Sequence, residues 1–196
     1  MTPVPYVTAY DGETVTYQLT LVADETATDG MRVSYADEVA TDRMFGVLWN
    51  RHGLTRTGRP MWRLVNTLRQ RRCMLHALCQ VCGKSAVDGE TGRIWWLLPE
   101  VPGRCPDGGW YTNTPPTCAA CVPVARSHCP QLRKWSRLCT VSGAEPYGVV
   151  AEVFTPISGT LASVDAATEL PLDAFRKLEY ALAKQLVVEL DDLRPA

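Results

Sequence analysis

The sequence predicts an α+β protein, and three observations predict it. Short runs that alternate apolar and polar residues, bounded by Gly, Pro and Asp, occur near both ends of the chain; that is the period of half-buried strands. Other stretches carry apolar residues at three- and four-residue spacing, the period of helices. Between them stand two Cys-x-x-Cys pairs, Cys79/Cys82 and Cys118/Cys121, with 35 residues separating them. The 196 residues are read as one domain, 1–196, with a cysteine-bearing subdomain over 73–140 inside it.

Tyr6–Tyr10 and Glu13–Leu21 flank Asp11-Gly12, a two-residue turn signal, and predict an N-terminal hairpin. The acidic loop Asp24–Gly30 leads to a third strand, Met31–Tyr35. Val39, Met44, Val47 and Leu48 suggest a helix over 37–50. Arg51–Arg59, with two glycines, reads as a loop. Pro60 opens a helix to about Leu78, because its missing N–H costs nothing in a first turn. Met61, Leu64, Val65, Leu68, Leu75 and Leu78 would line its buried side.

Asp88-Gly89 and Thr91-Gly92 mark turns before a strand over Arg93–Leu98. Pro102–Gly109 is a loop. A short helix follows Cys121, with Pro123 in its first turn, and Pro130 ends or interrupts it. Gly148–Phe154 and Thr160–Val164 form a second hairpin across Pro156–Gly159. A long helix then runs from Pro171 to about Leu190. Its stripe of Phe175, Leu178, Leu182 and Leu186 packs on the core or forms the seam of a dimer.

The net charge of -1 conceals a separation of charge. Residues 1–42 hold eight acids and one base, a net of -7, and residues 43–87 hold nine bases and no acid, a net of +9. Residues 88–144 contribute +2 and residues 145–196 contribute -5, which closes the sum at -1. The basic block attracts nucleic acid or another polyanion, or else the acidic ends fold back and neutralise it.

No charged start followed by an apolar run opens the chain, and no stretch approaches a membrane span. A cytoplasmic protein away from membranes is expected. In that reducing setting the eight cysteines point to metal ligands or buried thiols rather than disulfides.

Thiolate sulfur in a closed four-ligand shell is what zinc prefers in a structural role. Cys79-Gln-Val-Cys82-Gly83-Lys84 reads as a zinc knuckle, in which Gly83 supplies the positive φ after the second sulfur. Cys118 and Cys121 complete the set from the first turn of a helix, whose positive end favours thiolates. A knuckle, a β-hairpin and a helix in that order make a treble clef. A redox role for one pair is the rival reading. Cys73-x-x-His76-x-x-Cys79-x-x-Cys82 has the crowding of an iron–sulfur site, but His76 stands where a thiolate belongs. Cys105, Cys129 and Cys139 with His128 make a candidate second metal site; buried thiols are the default for these cysteines and for Cys73.

Residues 79–122 resemble the zinc domain of HNH-type nucleases. There a Cys-x-x-Cys knuckle precedes Asp-His-x-x-Pro, and an Asn stands five residues before the second pair. Here Trp95-Trp96-Leu97-Leu98-Pro99 fills the first stretch and Asn113 matches the Asn. Val122 follows Cys121, where the family places His or Asn. The resemblance implies the scaffold without the chemistry, since indole neither ligates a hard cation nor takes a proton from water. The chain is also similar in style to cysteine-containing proteins of actinobacteria.

Three functions follow as expectations. The first is a non-catalytic, zinc-stabilised protein that binds DNA or RNA through Arg56, Arg59, Arg63, Arg69, Arg71 and Arg72, whose guanidinium groups match phosphate oxygens in pairs. The second is a zinc-stabilised scaffold whose arginines meet an acidic protein. The third is a divergent nuclease, for which His52 and His128 are the remaining histidine candidates outside the cysteine run. Trp95 and Trp96 point to opposite faces of their strand; one is expected on the zinc helix, the other under cover or stacking on a base.

Overall fold

The computed structural model describes residues 4–99, 102–157 and 160–196. It is mixed α+β and mostly strand. The chain begins with β1 (Thr8–Tyr10), which does not turn back on the residues after it. Asp11–Glu13 is a single 3-10 turn. A Cβ on Gly12 would sit 2.7 Å from the Thr57 carbonyl, so the following loop fills the place expected for a hairpin partner. The N-terminal hairpin lies later, between β2 (Leu19–Ala23) and β3 (Met31–Tyr35).

The helix expected over 37–50 is absent. β4 (Arg43–Met44) and β5 (Val47–Trp49) form a tight hairpin there. Phe45 and Gly46 both take positive φ, 57° and 76°, the backbone of a two-residue primed turn. Three consecutive buried residues, Val47, Leu48 and Trp49, had imitated a helix face.

Pro60 opens a strand, not a helix. β6 (Pro60–Val65) pairs with β1, and Trp62, Arg63 and Leu64 are exposed along it. The helix α1 (Thr67–Leu75) starts later, where the Asn66 side chain accepts from the Arg69 N–H. That cap satisfies one of the unpaired N–H groups of a first turn.

β7 (Ile94–Pro99) is followed by a small hairpin, β8 (Gly103–Arg104) with β9 (Trp110–Thr112). α2 (Val122–His128) has Pro123 in its first turn. It stops before Pro130, which begins α3 (Pro130–Lys134). β10 (Ser136–Val141) then pairs with β7.

The long hairpin of β11 (Gly143–Ile157) and β12 (Thr160–Pro171) matches the expected one and extends it at both outer ends. The long C-terminal helix does not form. Only α4 (Phe175–Leu178) is helical, and Ala181–Asp191 is β13; β14 (Arg194–Pro195) closes the chain on β10. β13 lies between β11 on one side and β5 and β9 on the other. Leu178, Leu182 and Leu186 are buried and Phe175 is exposed, so three of the four stripe residues pack in the core, as one of the two readings expected, and they do so without forming a helix face. Covered on both faces, the strand lost its alternation and read as a helix.

The main core collects Trp49, Met74, Trp96, Val149, Leu178 and Leu186 among others. It joins the central sheet to α1 and β7. No helix among the described residues is long and apolar enough to cross a membrane.

Candidate metal centre and basic face

α1 delivers the chain to the first cysteine pair. After His76, Ala77 takes φ 48° and reverses the direction, and Leu78 donates to the Cys73 carbonyl. The knuckle then closes on itself: Cys79 N–H donates to Lys84 O at 2.7 Å and Gly83 N–H to Cys79 O at 2.8 Å. Gly83 has φ 73°, and a Cβ there would meet the Tyr6 ring at 3.0 Å. Glycine is required for both reasons.

Residues 86–88 and 93–95 form a short ladder through the Val87–Ile94 bridge. The second pair arrives on a 3-10 turn, Ala119–Cys121, that runs into α2. Gln80, inside the first pair, fastens the two halves. Its N–H donates to Pro116 O, and its carboxamide donates to Pro115 O and to Thr117 Oγ1. Val122 and Ala125 of α2 bury Leu97 together with Val81. Leu97, rather than either tryptophan, packs on the helix that bears the second pair.

The four sulfurs converge. All lie within 4.8 Å of one another, and Cys82 Sγ is 3.9 Å from Cys118 Sγ. A tetrahedron with metal–sulfur bonds of about 2.3 Å has edges of about 3.8 Å, so the cluster is within metal-binding distance. Val81 N–H points at Cys79 Sγ, 3.4 Å away. Burial and the neighbouring sulfurs push the Cys121 thiol up. Burial also raises Cys79. At Cys82, burial is outweighed by the Lys84 N–H and by hydrogen bonds from the other thiols, which hold it below its usual value. Four sulfurs that cannot all ionise together are what a divalent cation relieves.

The other cysteines go elsewhere. Cys139 is buried under the Trp96 carbonyl, 3.5 Å away, and burial raises its pKa to about 11. Burial lifts Cys73 to about 12. His128 Nδ1 lies 2.9 Å from Ser127 Oγ and Val124 O at the end of α2, and Cys129 caps that helix. Cys105 stands instead with Asp107 and Glu189. The set Cys105, Cys129, Cys139 and His128 therefore does not assemble: His128 and Cys129 are neighbours at the end of α2, while Cys139 lies in β10 and Cys105 groups with Asp107 and Glu189.

The positions that match the Asp-His stretch carry structural indoles. Trp96 is fully buried and donates to Thr114 O at 2.7 Å; Trp95 donates to Asp88 Oδ2 at 3.1 Å. Asn113 donates to Gln185 Oε1 at 2.9 Å. His52 accepts the Thr67 N–H on Nδ1, and burial lowers its pKa.

The basic block splits in two. The acidic N-terminal block folds onto part of it. Arg43 pairs with Glu38, Arg51 with Asp37 and Asp42, and Arg69 with Glu13. Arg69 is 2% exposed, which removes it from any phosphate-binding set. Arg71 is half-buried, its guanidinium 4.6 Å from the Trp49 ring. Arg56, Arg59, Arg63 and Arg72 remain exposed. Sequence reasoning missed Glu13 and Gln80, whose partners lie far along the chain. Trp62 is 58% exposed on β6.

Compared with known proteins, the chain matches no family model, no curated protein and no solved structure.

Proposed function

We propose that this protein is a non-catalytic, zinc-stabilised binder of single-stranded nucleic acid. Zinc is the metal that suits four thiolates in a closed shell. The order of knuckle, short ladder and cysteine-bearing helix supports a treble clef. Its helix packs inward through Val122 and Ala125, which suits a structural ion. The positions where HNH-type nucleases place their Asp and His are occupied by Trp95 and Trp96, both committed to hydrogen bonds within the fold, which supports the absence of hydrolytic chemistry.

The observation that carries the binding reading is the surface of β6. Trp62 lies there exposed, with exposed Arg59 before the strand and exposed Arg63 after Trp62 on the opposite side, and no acid occurs between residues 43 and 87. An indole stacks on any base and arginines follow the phosphates. The contact set is Arg59 and Arg63 with Arg56 and Arg72, and Trp62 joins it.

An electrophoretic mobility shift with a single-stranded oligonucleotide tests this. Binding should fall steeply between low and moderate salt, and Trp62→Ala with Arg63→Glu should abolish it. Full binding by that double variant would remove the reading.

A further inference from the structure

A groove of about 480 Å³ opens beside α1, lined by Leu54, Arg56, Leu68, Arg71, Arg72 and Leu75, with Tyr6 and His76 at its margins. No carboxylate is among its lining residues. Glu13 answers Arg69, which also reaches the groove, and does so from the interior through paired contacts. Arg71 has no such answer. Among the described residues it has no ion pair and no hydrogen bond, and its Nη1 is buried without a partner. The Nε of Arg69 is also buried and unpaired. Burial lowers the Arg71 pKa, and the Trp49 ring face, 4.6 Å from the guanidinium, is what it meets in place of a carboxylate. A half-buried guanidinium held without a counter-charge is costly, and it is held here at the wall of a concave site.

Two kinds of wall meet in the groove. Arg56, Arg71 and Arg72 supply donors in the planar fork that matches phosphate oxygens. Leu54, Leu68 and Leu75 supply an apolar flank. The volume falls in the range of small-ligand sites, about 300–1,000 Å³, and is small for a folded partner. We infer that this groove binds a phosphomonoester of the nucleoside monophosphate class, with the flat face of the base on the leucine flank and Arg71 and Arg72 on the phosphate. The phosphate comes from a free nucleotide or from the 5′ end of a strand; only the second source rests on the nucleic-acid reading above.

Isothermal titration of the full chain tests it with AMP, adenosine, inorganic phosphate, and one oligonucleotide with either a 5′-phosphate or a 5′-hydroxyl. AMP should bind saturably and adenosine should not. Arg71→Gln should weaken AMP by about tenfold or more. If that variant does not fold, exposed Arg72→Gln serves in its place and should weaken AMP by about threefold. The inference is overturned if AMP fails to bind at millimolar concentration, if adenosine binds as well as AMP, or if the folded variant keeps wild-type affinity. Inorganic phosphate binding as tightly as AMP would overturn the nucleotide assignment. Competition with AMP by the 5′-phosphate strand alone identifies the strand end as the source. AMP binding without any binding of the 5′-hydroxyl strand would sink the β6 reading and leave the groove; the reverse would sink the groove alone.

Discussion

The Gln70 carboxamide pairs with both backbone polar groups of Leu186. Its Oε1 accepts from the Leu186 N–H and its Nε2 donates to the Leu186 carbonyl, each at 2.9 Å. On this side β13 pairs with β5 at Leu182 and Ala183, and with β9 from Val188 onward. Leu186 falls in the gap between those partners. The glutamine completes the ladder in place of a strand residue, and its Nε2 also donates to Asn113 O.

Replacing Gln70 with Leu keeps most of the volume and strands two buried backbone groups. Each such group costs about 1–3 kcal/mol, so Gln70→Leu should destabilise the protein by about 2–6 kcal/mol. Urea denaturation should show a lower midpoint with an unchanged slope. A midpoint equal to wild type would mean that Leu186 finds other partners.

The cysteine cluster predicts about one zinc ion per chain in purified, reduced protein, by elemental analysis. Chelation should expose amides of the knuckle and α2 to hydrogen exchange while the β11–β13 core stays protected. Cys82→Ser and Cys118→Ser should do the same. Gln80→Ala, which touches no sulfur, should weaken zinc by about tenfold, since it removes the two carboxamide bonds that help place the halves before the ion arrives.

Acid should act through Glu13. Burial raises its pKa, but Arg69 and the N–H groups of Arg56 and Tyr10 outweigh that and lower it from 4.5 to about 2. A depressed carboxylate contributes stability above its unfolded pKa and loses it as pH falls through the folded value. The loss should therefore run from pH 4.5 to about 2, and it amounts to about 3 kcal/mol. Glu13→Gln should flatten the stability profile over that window. It should also cost about 3–5 kcal/mol at neutral pH, because Arg69 is left buried alone.

On the proposed nucleic-acid face, Arg59→Ala and Arg63→Ala should each reduce the salt slope of binding by about one. Trp62→Ala should weaken binding by about 1–3 kcal/mol without changing the slope, since stacking releases no counterion. A slope change in Trp62→Ala, read from titrations at several salt concentrations, would place the indole elsewhere than on a base.

The parts of this fold written in short-range chemistry were legible. Gly83 announced the knuckle turn, Pro123 and Pro130 set the limits of α2, and the apolar runs on either side of 156–159 announced β11 and β12; Pro156 and Ile157 still pair within that hairpin, and 158–159 lie outside the described residues. The spacing of Cys79, Cys82, Cys118 and Cys121 named all four members of the cluster. Other signals were present and outvoted. Asn66-Thr67 is a helix cap, yet Pro60 drew the helix start seven residues early. Phe45-Gly46 is a hairpin turn, yet the apolar residues around it suggested a helix.

By itself the sequence determined the two cysteine pairs and the local turns, because each depends on neighbours a few residues apart. Tertiary structure alone decided that Ala181–Asp191 is a strand, since a segment buried on both faces has no period of its own. It alone divided the arginines into those answered by Asp and Glu, those left on the surface, and Arg71, half-buried and unanswered. Charge lies in the sequence, but its compensation depends on which distant residues folding brings within a few ångströms.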